Sequence, residues 1–320
     1  MTAPWWTDPL DRIADILVIV DPTVIEQPAV AKAHALARRL GAGIQLLACD
    51  TKYSREARMA ALLPSHGDSP RSDGLQPLLD EWAEPMRGEG IDVATHVITG
   101  DPLHECVLSW MRNSPADMVV KDTHHHSLAK RTFITNTDWN LIRACPLPLL
   151  LTKPAPWRIP PVFVAAVDPV HADDALAAFD HRILDVTATL AKHFDAQLHA
   201  MHAYFPASMT VAGSAGMPPM VGVSAEALAA ESELRRSQIW HLVEQYGIAA
   251  ADLHVGVGLA AQYLPRMAAE CHADLVVMGA IARGALQRVL IGSTAERVLE
   301  TLPCDILVVK PRDFAKNLPF

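Results

Sequence analysis

The 320-residue sequence predicts an α/β chain of two tandem, doubly wound domains, each on a five-stranded parallel sheet. Three observations carry that reading. The chain repeats itself: "PADMVVKD" at 115–122 matches "HADLVVMG" at 272–279, and "CPLPLLLTKP" at 145–154 matches "LPCDILVVKP" at 302–311. Both pairs share an offset of 157 residues, since 279 − 122 and 311 − 154 agree. Runs such as LVVM and ILVV are apolar throughout rather than alternating, as strands buried on both faces require. Finally, "KPAPWRIPP" at 153–161 holds four prolines and no apolar period, which marks a boundary. The expected division is a first domain at 1–153, a linker at 154–160 and a second domain at 161–320.

The elements follow in chain order. "DILVIVDP" at 15–22 supplies the opening strand and aligns with "PVFVAAVDP" at 161–169, setting Asp21 opposite Asp168. In the second domain "VFVAAV" and "QLHAMHA" read as its first two strands. Ile239, Leu242, Val243 and Tyr246 then recur at i, i+3, i+4 and i+7, the spacing of one buried helix face. "LHVGVG", "ADLVVM" and "DILVVK" complete the sheet, and Gly292, Ser293 and Thr294 lead into the helix "AERVLETL".

Composition narrows the function classes. A net charge of −9 with no Lys/Arg cluster opposes nucleic-acid binding. No apolar run approaches the roughly 20 residues a bilayer demands, and the first residues lack a signal-peptide pattern, so a cytoplasmic protein is expected. Five scattered cysteines without a CxxC pair argue against a disulfide framework or zinc knuckle.

In a doubly wound sheet ligands bind beyond the carboxyl ends of the strands, where strand order reverses. The residues at those ends in the second domain are Asp168, then His202 and Ala203, then the segment from Met278. That segment, "MGAIARGALQRVLIGSTAERVL" at 278–299, offers bend points at Gly279 and Gly284 and a helix start at Gly292-Ser293-Thr294 whose unpaired amides suit a phosphate. Ser293 and Glu296 equally spell a capping box that only starts a helix. Asp168 suits an adenine amine or a ribose hydroxyl as an acceptor, while Asp-Pro is also an ordinary turn signal.

The Asp that ends the first strand, "DLVVMG", "IGSTAERVL" and the closing "CDILVVKP" resemble the universal stress protein family, twice over and across nearly the whole chain. The resemblance implies the fold related to the adenine nucleotide alpha hydrolases, a stress-response role and, in the ATP-binding branch, the signature G-x2-G-x9-G-S/T around the phosphates, with the first-strand Asp at the adenosine. Gly279 stands at its first glycine, Gly292 and Ser293 at its end, and Ala282 at its second glycine. If that position needs left-handed backbone, Ala282 costs roughly 1–2 kcal/mol there; Arg283 beside it offers compensating charge. ATP or another adenine nucleotide is thus the expected ligand, with no metal beyond magnesium carried by the nucleotide. In the family the closing strands pair between subunits, so the two halves are expected to pair within the chain, with homodimerisation open.

Under the same offset the first domain has Asp122 and His125 at the glycine positions and Thr135-Asn136 in place of Gly292-Ser293, a degenerate loop in which a carboxylate repels a triphosphate. His124, His125 and His126 complete no tetrahedral ligand set with neighbouring residues. The uncharged stretch "FPASMTVAGSAGMPPMVGVS" at 205–224 is too apolar to stand bare in water and suits a lid, an oligomer contact or a wall for an amphiphile. The expectation is a binding protein without catalytic residues; a binder of a lipid-like or nucleotide-linked amphiphile, and a slow ATPase, are the alternatives.

Overall fold

The computed structural model resolves the chain into two compact units, Trp157–Pro311, and Met1–Pro156 with Arg312–Phe320. It describes residues 13–24, 26–52, 54, 56, 74–126, 131–133, 135–169, 174–206, 224–280, 293–312 and 314.

The first unit runs β1 (Asp15–Val20), α1 (Pro28–Leu40), β2 (Gly43–Asp50), α2 (Leu75–Gly88), β3 (Val93–Thr99), α3 (Leu103–Met111), β4 (Met118–Asp122), β5 (His124–His126), β6 (Arg131–Phe133), α4 (Asn136–Ala144) and β7 (Leu149–Thr152). Five strands lie in the order β7-β4-β1-β2-β3, all parallel. Fully apolar runs fill the centre: Ile16, Leu17, Val18, Val119 and Val120 are buried. Within the stretch read from sequence as a degenerate loop, β5 and β6 pair antiparallel, with His124 opposite Phe133 and His126 opposite Arg131.

The second unit repeats the plan: β8 (Val162–Ala166), α5 (Asp174–Phe194), β9 (Gln197–Tyr204), α6 (Ala225–Val243), β10 (Leu253–Val257), α7 (Ala260–Glu270), β11 (Leu275–Gly279), α8 (Ser293–Thr301) and β12 (Asp305–Val309). Its strand order, β10-β9-β8-β11-β12, mirrors that of the first unit. The helix face expected to reach Tyr246 stops at Val243; a 3-10 turn carries Tyr246, whose hydroxyl lies 2.8 Å from His181 Nδ1.

One device recurs at the 157-residue offset. Asp117 Oδ2 accepts the Ala14 and Asp15 amides at the start of β1, and Asp274 Oδ2 accepts the Val162 amide at the start of β8. Each aspartate ties the opening strand to the fourth. Trp157 and Arg158, placed by the sequence in the linker, are anchored to the second unit. The Trp157 indole donates to Asp305 at 2.7 Å and meets Phe163 and Phe194 edge-on, and the Arg158 guanidinium pairs with Asp274 at 3.1 Å. None of the five cysteines is disulfide-bonded. Among the described residues no helix is long and apolar enough to cross a membrane.

Candidate functional site

Strand order reverses between β8 and β11, and doubly wound sheets generally take their ligands beyond the carboxyl ends of the strands at such a point. Asp168 lies two residues past β8, its side chain 47% exposed. Its amide donates to Asp180 Oδ1 on α5 at 2.9 Å, which holds the turn after the strand. Ala203 is the penultimate residue of β9 and partly exposed; Met278 and Gly279 close β11. The structure therefore brings Asp168, Ala203, Met278 and Gly279 to one edge. Ala282, Arg283 and Gly292 lie outside the described residues, and Ser293 and Thr294 are described only as the first turn of α8.

Gly279 has a packing reason of its own. A Cβ there would stand 2.2 Å from Phe179 Cε1 and 3.2 Å from Ile183 Cδ1, so α5 lies directly on the end of β11. His202 is buried, and its Nδ1 lies 3.0 Å from the Val167 carbonyl and 3.8 Å from Asp168 Oδ1. Because a carbonyl only accepts, that nitrogen carries the proton.

Sequence reading missed two residues here. Asp180 is buried under the Asp168 turn, and Lys310, also buried, donates from Nζ to the Ala280 carbonyl at 3.1 Å, fixing the point where the chain leaves β11. A signal for Lys310 existed: Lys153 and Lys310 end apolar runs at the shared offset.

The corresponding edge of the first unit carries buried carboxylates among its described residues. Asp122, in the Gly279 position, is buried; Oδ1 accepts the Ala29 amide at the start of α1 and the Thr152 hydroxyl, each at 2.6 Å. Burial pushes its carboxyl up to about 6, against the pull of those two bonds and of Lys121. Lys121 Nζ pairs with the fully buried Asp138 at 2.8 Å, and Asp138 closes a capping box with Thr135 at the head of α4. Two carboxylates thus meet the helix starts that would face an anion. Asp21, the counterpart of Asp168, accepts the Thr23 amide and hydroxyl in a local turn.

An open groove of about 730 Å³ lies at the other end of the first sheet, between the residues preceding β2 and β3, lined by Arg38, Gly41, Glu89 and Asp92 among others. It is remote from the strand ends that matter here.

A second cluster, unforeseen in the sequence, sits at the amino edge of the second unit. His199 on β9, His254 on β10 and Cys271 just past α7 hold their donor atoms within 4.8 Å of one another.

Residues 13–153 and 163–310 each match the universal stress protein family. The chain is 26% identical over 309 residues to universal stress protein E of Escherichia coli K12, covering 94% of this chain and 95% of that one. It is 26% identical over 314 residues to the universal stress protein E homolog of Haemophilus influenzae, covering 94% and 98%. Among solved structures, a functionally unknown protein from Pseudomonas aeruginosa PAO1 is similar with a TM-score of 0.75 at 27% identity, over 97% of both chains. A universal stress protein from Archaeoglobus fulgidus shares the fold, with a TM-score of 0.60 at 16% identity over 93% of this chain and 98% of that one.

Proposed function

The chain belongs to the universal stress protein family, whose members bind nucleotides, and from that premise we propose that it acts in the cytoplasm by binding an adenine nucleotide, ATP or a related phosphate-bearing ligand, at the carboxyl edge of its second unit. The observation that carries the reading is the asymmetry between the two edges. Asp168 presents a half-exposed carboxylate at the strand-order reversal, placed to accept from an adenine amine or ribose hydroxyl. Its opposite number in the first unit is turned into a local bond, and the carboxylates of Asp122 and Asp138 are bonded to the Ala29 amide and to Lys121 beside it. The residues that bind in this reading are Asp168, Ala203, Met278 and Gly279, followed by Ala282, Arg283, Gly292, Ser293 and Thr294 of the signature. Binding without turnover fits His202, which is buried and spends its Nδ1 proton on Val167.

Mass spectrometry of small molecules released from the purified protein is expected to show an adenine nucleotide. Calorimetry with ATP is expected to show at least tenfold weaker binding for Asp168→Ala. Absence of nucleotide together with absence of heat would refute the reading, and steady hydrolysis lost in Asp168→Ala with Ser293→Ala would make the protein an enzyme.

One observation favours the amphiphile alternative. Phe205, Val257 and Leu259 are 54%, 43% and 52% exposed at the ends of β9 and β10, an apolar rim beside the proposed site. A released nucleotide bearing an acyl or prenyl chain is the result that reading expects.

A further inference from the structure

We propose that the second unit carries a metal site at its amino edge, formed by His199 Nδ1, His254 Nε2 and Cys271 Sγ, for a borderline-soft divalent cation of the zinc type. The site is independent of the nucleotide reading and lies at the other end of the same strands.

Topology builds it. β9 and β10 run parallel with Ala200 beside Leu253 and Met201 beside His254. Side chains alternate along a strand, so His199 projects to the same face as Met201, and His254 to the same face as Gly256. Helix α7 covers that face: Tyr263 sits over Gly256, and the helix ends by delivering Cys271 to the two imidazoles.

The hydrogen-bond pattern leaves lone pairs where a cation needs them. Asp252 Oδ1 lies 3.5 Å from His199 Nε2, a contact that favours the proton on that nitrogen and turns the Nδ1 lone pair toward His254. A carboxylate behind a ligating histidine is the usual way the ring is oriented and its basicity raised. His199 Nδ1 and His254 Nε2 are 3.0 Å apart, so a single N–H lies between them. Tetrahedral zinc, with bonds of about 2.0–2.1 Å to nitrogen, holds two such atoms about 3.3 Å apart, so exchanging that proton for the cation opens the pair by only a few tenths of an ångström. Two nitrogens and a thiolate suit zinc, or cobalt as its probe, and not magnesium or calcium. His199 is buried, while His254 and Cys271 are partly exposed and give the cation a route from solvent.

The test is titration of chelator-treated full-length protein with cobalt(II), followed by competition with zinc. One equivalent is expected, with an intense thiolate-to-cobalt charge-transfer band that Cys271→Ser removes. His254→Gln is expected to weaken zinc at least tenfold, and Asp252→Asn about tenfold. Replacing His124, His125 and His126 with alanine is expected to leave the band intact, and circular dichroism of each variant reports whether it is folded. A band that survives Cys271→Ser, or disappears with the His124–126 replacements, overturns the assignment, as does weak octahedral cobalt absorption alone. A folded wild type that binds no cobalt returns the cluster to a plain imidazole–imidazole hydrogen bond.

Discussion

Asp122 holds, in the first unit, the position Gly279 holds in the second, and its burial has a pH consequence. In the folded chain its carboxyl keeps the proton up to about 6, against an unfolded value of 3.8. Between those values the native state binds more protons than the unfolded one, so stability falls as pH rises through the window. The penalty is nearly complete above about pH 6, is on the order of 3 kcal/mol, and is relieved toward pH 4. Asp122→Asn keeps an oxygen for the Ala29 amide and the Thr152 hydroxyl and sheds the buried charge. It is expected to raise the melting temperature at pH 7.5 and to lose most of that gain at pH 4.5. Equal melting of the two proteins at both pH values would mean that the carboxylate is fully compensated by its donors and by Lys121.

At the scale of elements, glycines mark where helices touch strands. At Gly256 a Cβ would stand 1.7 Å from Tyr263 Cε2, and at Gly279 it would stand 2.2 Å from Phe179. Both are collisions with packed rings rather than with flexible side-chain ends. Gly279→Ala is therefore expected to cost about 1–3 kcal/mol in protein free of nucleotide, read as a lower melting temperature. An unchanged ligand-free melting temperature with lost ATP binding would assign Gly279 to the ligand alone. The last helix of each unit shows the duplication most closely. α4 at Asn136–Ala144 and α8 at Ser293–Thr301 coincide residue for residue under the offset, as 293 − 136 and 301 − 144 agree. The first begins with a full capping box, Thr135 with Asp138, at the place where Gly292 and Ser293 stand in the copy.

For the whole molecule, the two units share a plan and differ at their carboxyl edges, so the nucleotide stoichiometry is expected to be one per chain. Calorimetry that finds two equivalents of ATP would show that the first edge opens despite Asp122 and Asp138. The same asymmetry separates the two proposals experimentally: Cys271→Ser is expected to leave ATP binding intact, and Asp168→Ala to leave the cobalt band intact.

The sequence by itself determined the duplication, the parallel strands and which residues stand at the strand ends, because apolar runs, the 157-residue repeat and strand-end residues such as Asp168 are all local in the chain. It showed that Asp122 had replaced a glycine, but only the fold revealed that this carboxylate meets the start of α1, 93 residues away. His199, His254 and Cys271 gave no spacing signal, being 55 and 17 residues apart in turn. Parallel register between β9 and β10 and the end of α7 brought them together. Contacts made through a shared sheet face depend on which strands become neighbours, and that choice belongs to the packing of the whole unit rather than to any stretch of the chain.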